Sequence, residues 1–521
     1  MFRAVILIGL LGCTMCSYAQ SSFFRTYSAP ATAITQRPIW TQLPNEQAVV
    51  ATAIFRAGKS NPYELLLLAF DKLGNIRWQA AYQSEHRDIV VSDIQTGADG
   101  GLYVAGMWGL QMSSLPQPFL AAFDQEGRFR WSKTIPLELV SSRVKLACRA
   151  NEIGLAFTSI QNLYDVFLYR FDYNGTPRAG LNIGGNNSED ILADLQLLPN
   201  GNFIALVETN SQDPGRRSAG IITFNNLSGI ASSFLIRGSD QLYPHQLAVS
   251  ASGELNFGLS DAQNFLWLSS NSNGQNIQHR FTIDSLQAYQ HYQAAMIGDH
   301  FIAQGPINNS EGKLELLARG NAASSWSLFN NTQLFSSQTA PLSDENGNIY
   351  VLATASSAGP DFSEQLVYIK TDSSLEMCYD QKASISKTGQ LQNFSRLNYP
   401  LIAGNQNLTV LNMPWTAQSI RFSPEPAACN AINNSPLFPT AFTPNGDGLN
   451  ETFGPMFAEF PEYTLRIYDR WGKLIFQGQN QHWDGKIASE YATNGSYPFV
   501  FDYLDTRGRV SRISGQLSLI R

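Results

Sequence analysis

Apolar residues along this chain come in short runs broken by turn residues, and one such run recurs. The segments LLLLAFDKLGNIRW (65–78), PFLAAFDQEGRFRW (118–131) and VFLYRFDYNGTPRA (166–179) each read as a strand ending in Phe-Asp, a tight turn with glycine, and a second strand. Asp71, Asp124 and Asp172 share a register. Gly74, Gly127 and Gly175 follow three positions later, and Arg77, Arg130 and Arg178 three after that. Weaker copies continue at GIITFNNLSGIAS, NFLWLSSNSNGQNI, LELLARGNAASSW and QLVYIKTDSSLEM, which makes seven such hairpins. A further strand precedes each, opened in the better copies by a turn: ADGGLYVAG, LPNGNFIAL, SASGELNFG and DENGNIYVL. Asp, Asn and Gly supply the positive φ and self-bonding carbonyls of such turns, and the β-branched and aromatic residues after them suit half-buried strands. Apolar residues at three- and four-residue spacing are absent here, so the region reads as all-β.

Units of roughly 40 to 50 residues with four strands each cannot bury both sheet faces alone and must stack, which is the signature of propeller blades. The pattern also resembles the β-propeller repeats common in exported bacterial proteins, over about Glu46 to Phe422. The expected fold is a β-propeller of about seven four-stranded blades, with a solenoid or paired sandwiches as the alternatives. The expected layout is a signal peptide at 1–19, a lead-in at 20–45, the repeat domain at 46–422, a linker at 423–436 and a C-terminal domain at 437–521.

Composition narrows the setting. Charged residues are 15% of the chain, against about 25% in an average soluble domain, so Ser, Asn, Gln, Thr and Gly carry much of the polarity. A net charge of -7 offers no broad positive field for nucleic acid or anionic lipid. Arg3, the apolar run Ala4 to Gly12 and the small residues Ser17 and Ala19 read as a signal peptide cleaved after Ala19. Leu10-Leu11-Gly12-Cys13 also resembles a lipobox, which would place a lipid on Cys13. No other stretch has the roughly 18 apolar residues of a spanning helix. Cys148, Cys378 and Cys429 remain after cleavage, too few for a disulfide scaffold; Cys378 with Cys429 is the pairing an oxidising compartment allows.

Candidate chemistry is sparse. Asp88 and Asp93 have counterparts in Asp190 and Asp194, and such carboxylates suggest acid and base for glycoside cleavage. A residue that recurs with the repeat is better explained by the repeat's own hydrogen bonds, and the same holds for Arg77, Arg130 and Arg178. His86, His245, His279, His291, His300 and His482 lack the spacing of a zinc site, and no nucleophile elbow or phosphate loop stands out. Trp78, Trp131, Trp267 and Trp326 are expected between blades rather than as sugar platforms. No catalytic residue and no metal site is assigned. Asp284-Ser285-Leu286 matches a short O-glycosylation sequon of Bacteroidetes, with Ser285 as acceptor and an ordinary turn as the other reading.

The pattern changes at SPEPAACNAINNSPLFP, a Pro-, Ala- and Asn-rich stretch that reads as a linker. Beyond it stand Phe442, Thr443, Pro444, Asn445, Gly446, Asp447 and Gly448, with Asn450 after them. Arg470, Trp471 and Gly472 follow, then Trp483, Asp484 and Gly485, then Gly495 and Tyr497, and the chain closes on Leu519, Ile520 and Arg521. In this order these residues resemble the gliding-motility-associated C-terminal domain, the type B sorting signal of the type IX secretion system. Glu451 departs from the family's usual Asp. The resemblance implies an exported protein of a Bacteroidetes-type bacterium, an Ig-like antiparallel β-sandwich here, and translocon components as partners. Tyr497, Phe499, Phe501 and Tyr503 alternate and should fill its core, with Pro498 at an edge or strand start. Asn445 to Gly448 also looks like half of a calcium loop; without the distal bidentate Glu it reads as a structural turn, with calcium as the alternative. Two functions fit the whole: a surface binding or adhesion module with a glycan or protein ligand and no enzymatic role, or a secreted hydrolase of glycans or peptides.

Overall fold

The computed structural model describes most of residues 23–520. The terminus 1–22, several short turns and the segments 285–292, 307–313, 357–363, 372–380, 384–393 and 425–437 lie outside the described residues. The signal peptide, Cys13, Cys378, Cys429 and Ser285 therefore fall outside it. Every described element is a strand, and no helix is long and apolar enough to cross a membrane.

Seven antiparallel sheets follow one another along residues 23–424. In the first, Thr32–Ile34 and Ile39–Gln42 share the leading edge, followed by Ala48–Arg56, Tyr63–Phe70 and Ile76–Ser84. The next five lead with Ile89–Thr96, Lys145–Arg149, Asp190–Leu197, Tyr243–Val249 and Gln293–Ile297. The seventh runs from Gln333–Ser336 and Leu342–Ser343 through Ile349–Ser356 to Glu364–Thr371, and its next strand is Phe23–Ser28 from the start of the chain. The seventh expected hairpin is thus replaced by a pairing across more than three hundred residues. In the lead-in, Phe23–Ser28, Thr32–Ile34 and Ile39–Gln42 belong to the sheets, and the first of them covers the edge of Glu364–Thr371 that would otherwise stay unpaired.

Turn chemistry follows the sequence repeat. The Oδ1 of Asp71 accepts from Leu73 N and Asn75 N, that of Asp124 from Glu126 N and Arg128 N, and that of Asp172 from Asn174 N and Thr176 N, at 2.8–3.1 Å. Gly74, Gly127 and Gly175 take φ of +76°, +77° and +79°. The glycines also meet the preceding sheet. A Cβ on Gly127 would lie 2.4 Å from the Trp78 ring, and one on Gly175 would lie 2.8 Å from that of Trp131. Trp267 is wholly buried between the fifth and sixth sheets. The side chain of Trp326 lies outside the description.

From the first sheet to the sixth, successive sheets share apolar cores, and one such core joins the seventh to the first through Tyr27, Trp40, Phe70 and Tyr368. A side-chain-to-backbone bond latches each junction. Gln36 exchanges two with Val91, Asp93 accepts from Leu146 N, and Thr158 Oγ1 accepts from Leu192 N. Asp194 accepts from Leu247 N, Gln246 exchanges two with Ala294, Gln304 donates to Thr339 O, and Trp40 donates to Thr339 and Ala340. These bonds also give Asp93 and Asp194 a structural use.

After the seventh sheet the chain runs back around the outside. Gln381–Ala383 adds an edge strand to the sixth sheet, Ser395–Asn398 to the fourth, Ile402–Asn405 to the third and Leu411–Asn412 to the second; Trp415–Gln418 and Ser423–Pro424 do the same for the first and seventh. This strap explains why most sheets hold five or six strands rather than four. Its apolar residues drop into the junctions: Tyr399 between the third and fourth sheets, Met413 and Trp415 between the first and second, and Phe422 between the seventh and first.

The C-terminal domain has its own sheet, ordered Ala441–Phe442, Val510–Leu519, Gly495–Leu504, Tyr463–Tyr468, Leu474–Gln479, and its own core. Tyr497, Phe499, Phe501 and Tyr503 all point into that core. Pro498 lies one rung beyond the last residue paired with Tyr463–Tyr468, so its missing N–H costs no bond there. Among the described residues the sheet is mixed rather than purely antiparallel, since Ala441–Phe442 pairs parallel with Ser518 and Leu519. Phe438, Phe453 and Trp483 cover its face.

Candidate functional site

The leading strands of the first, second, third and seventh sheets end around one cavity of about 620 Å³. Gln42, Thr96, Arg149 and Ser343 are the last residues of their strands, and the wall also includes Leu43, Ala98, Cys148 and Asp344. Four sheets contribute, so the site exists only once the sheets are assembled.

Its wall is held rigidly. Thr96 Oγ1 donates to Gln42 O at 3.1 Å, and Tyr173 OH donates to Arg149 O while accepting from Ala98 N. Arg149 pairs with Glu152, donates to Gly201 O at 3.0 Å and lies over the Phe203 ring. Asp344 caps its turn by accepting from Asn346 N and Asn348 N, with Asn348 Nδ2 and Tyr350 OH on its other oxygen. Burial pushes the Asp344 carboxyl up, but these bonds outweigh it and hold the group below the usual range. Burial also pushes the Cys148 thiol well up, which disfavours its thiolate.

Three or four residues back from the strand ends at Thr96 and Arg149 stand Asp93 and Lys145, which form a buried charge cluster with Asp194 on the leading strand of the fourth sheet. Lys145 Nζ is 3.7 Å from Asp194, and burial raises the Asp93 carboxyl to about 6 against the pull of Lys145 and Leu146 N. Burial lowers the Lys145 ammonium, but Asp194 and Asp93 outweigh it and raise it. Asp190 is spent on Gly185 N, Ser188 Oγ and the strap's Tyr399 OH, and Asp88 is buried. Arg77 and Arg178 stand 3.9 Å from Asp71 and Asp172, whereas Arg130 reaches instead to Asp99 at 2.7 Å.

The histidines do not converge. His245 is buried against Ser260 Oγ and His279 packs on Phe394; His482 lies in the C-terminal domain, and His86, His291 and the His300 side chain lie outside the description. Among the described residues no group of three His, Cys, Asp or Glu could hold a metal ion. Sequence reasoning missed Gln42, Thr96, Arg149 and Ser343. No local pattern marks them, because they meet only through the arrangement of the sheets.

In the C-terminal domain most motif residues have local tasks. Thr443 N donates to Asn450 O and Asn445 N to Thr443 O, closing the loop, with Asn450 at φ +51°. Gly446, Asp447 and Gly448 lie outside the description. Trp483 is fully buried, donates Nε1 to Lys486 O and packs on Phe442. Asp484 Oδ1 accepts from Lys486 N, and Gly485 at φ +80° leaves no room for a Cβ against Pro444. Gly495 opens the strand, and Tyr497 OH donates to Thr493 O at 2.7 Å. Among the described motif residues, the side chains of Arg470 and Trp471 alone have no such task.

The small C-terminal domain is distinct in sheet and core from the seven sequential sheets. Residues 437–519 match the CHU_C Type IX secretion signal domain. The chain accordingly carries a signal that sends it to the cell surface or the extracellular space. No curated protein matches the chain. Among solved structures, a mutant Trypanosoma rangeli sialidase with trans-sialidase activity is similar at 12% identity and TM-score 0.39, over 66% of this chain and 60% of that one. The polysaccharide lyase Uly1 is similar at 8% identity and TM-score 0.41, over 65% and 91%. PorZ, an essential surface component of the type-IX secretion system of Porphyromonas gingivalis, is similar at 11% identity and TM-score 0.29, over 95% and 75%. This chain spans under two thirds of the sialidase's length.

Proposed function

We propose that residues 23–424 form a closed seven-bladed β-propeller, that an N-terminal signal peptide and the C-terminal domain carry it out of the cell, and that its channel mouth binds an extracellular ligand without catalysis. The cavity at the ends of four leading strands carries this reading. The unbroken series of latches, from Gln36 round to Trp40, supports a closed ring. Among the described residues a single carboxylate, Asp344, stands on the cavity wall with both oxygens occupied, which favours binding over acid-base chemistry. Gln42, Thr96 and Ser343 beside Arg149 suit a polar ligand, a glycan or an extended peptide segment. No cofactor is proposed.

The test is a glycan and peptide array probed with the full mature chain. Capture of a ligand that Ser343→Trp weakens at least ~10-fold, by filling the cavity, supports the reading. Binding indifferent to Ser343→Trp, or release of cleaved product from the captured ligand, refutes it; the second result would install the hydrolase reading.

A further inference from the structure

Among the described motif residues, Arg470 and Trp471 are the ones whose side chains the fold itself does not explain. Trp471 is 86% exposed, yet its hairpin is fully built: Asp469 Oδ1 accepts from Trp471 N and Lys473 N at 2.9 Å, and Gly472 takes φ +81°. The same turn occurs at Asp124 and Asp172, where a tryptophan of the preceding sheet covers the glycine; nothing lies within 4 Å of a Cβ on Gly472.

Register places this tip among other uncovered apolar groups. Tyr463–Tyr468 runs toward the end of the sheet where Gly495 pairs with Leu519, and Leu474 starts the return strand there. Gly485 abuts Phe442 and Leu519, which brings the hairpin carrying Ile487 and Tyr491 to the same end. The five large apolar side chains exposed among the described residues of this domain, Trp471, Leu474, Ile487, Tyr491 and Ile520, therefore lie at one end of it. Arg470 and Lys473 flank the indole, both exposed and free of ion pairs among the described residues.

We propose that this end of the domain is the face gripped by an outer-membrane translocon protein, in a cleft that receives the Trp471 indole and carries acidic side chains at its rim. The proposal rests on the identity of residues 437–519 as a secretion signal. Tryptophan and arginine dominate interface hot spots, and a preformed hairpin presents them at little ordering cost. The two flanking cations select an acidic rim and speed encounter. A membrane is the weaker occupant: each basic side chain near an anionic bilayer gains only about fivefold in partition, and the chain carries a net charge of -7.

The experiment uses the full-length chain in a bacterium with an intact type IX system, reading the fraction that reaches the surface or medium. Trp471→Ser, and separately Arg470→Glu with Lys473→Glu, lower that fraction by about tenfold or more. Glu462→Ala, at the opposite end, exports normally, and thermal unfolding of all these variants matches the parent. Normal export of Trp471→Ser while deletion of 437–521 blocks export overturns the face and leaves the signal standing. Export of the deletion itself removes the signal reading and the proposal with it. Normal export combined with Trp471-dependent adsorption to phosphatidylglycerol vesicles assigns the patch to lipid and overturns the proposal.

Discussion

Gly127 and Gly472 hold the same place in the same turn, at φ +77° and +81°, and differ in what stands over them. Gly472→Ala meets only the left-handed backbone cost of about 1–2 kcal/mol, while Gly127→Ala adds a clash with Trp78 and should cost roughly 3 kcal/mol. Denaturant unfolding of each variant checks the difference, and equal losses would show that the tryptophan yields freely. Asp93 makes a pH prediction. Its folded pKa of about 6 lies above that of an unfolded Asp, so the folded state binds the proton more tightly. Its stabilising effect is complete below about pH 4 and fades as pH rises through 6. The melting temperature of the parent should therefore gain on Asp93→Ala between pH 7.5 and 5, and parallel pH profiles would contradict the assignment. The recurring Asp and Gly of the turns were legible from spacing alone, since their bonds reach only two to four residues along the chain.

The strap is the element that sequence reading passed over. Its strands have two to four residues and no alternation, and Ser395–Asn398 is largely exposed. Such segments pair only because the sheets offer open edges at the right spacing. The signal that existed was isolated large residues in a polar stretch, Tyr399, Trp415 and Phe422. Tyr399→Phe deprives buried Asp190 of a donor and should cost about 1–3 kcal/mol; Trp415→Ala vacates the groove beside Phe119 and should cost about 3–5 kcal/mol. Hydrogen exchange should show the losses concentrated in the outer strands of the third and fourth sheets for Tyr399→Phe and of the first and second for Trp415→Ala. Uniform loss would mean the strap adds nothing local.

On the scale of the molecule, two separate cores predict two unfolding events. Removing 437–521 should abolish the event of the small domain, leave the larger one within about 2 °C, and strand the protein in the periplasm. Removing 20–29 should instead lower the larger event sharply, because Glu364–Thr371 loses Phe23–Ser28 and Tyr27 leaves the core it shares with Phe70. A calorimetric scan distinguishes the two deletions.

The sequence by itself determined the strand content, the repeated turns and the secretion signal, because each is written in residues close together or in a motif of set order. Tertiary structure decided the pairing of the first strand with the seventh sheet, the course of the strap, the cavity built from four strand ends and the gathering of exposed apolar groups at one end of the small domain. Those depend on edges and grooves that come into being only when distant segments pack, and no local pattern of side chains specifies which segment will fill them.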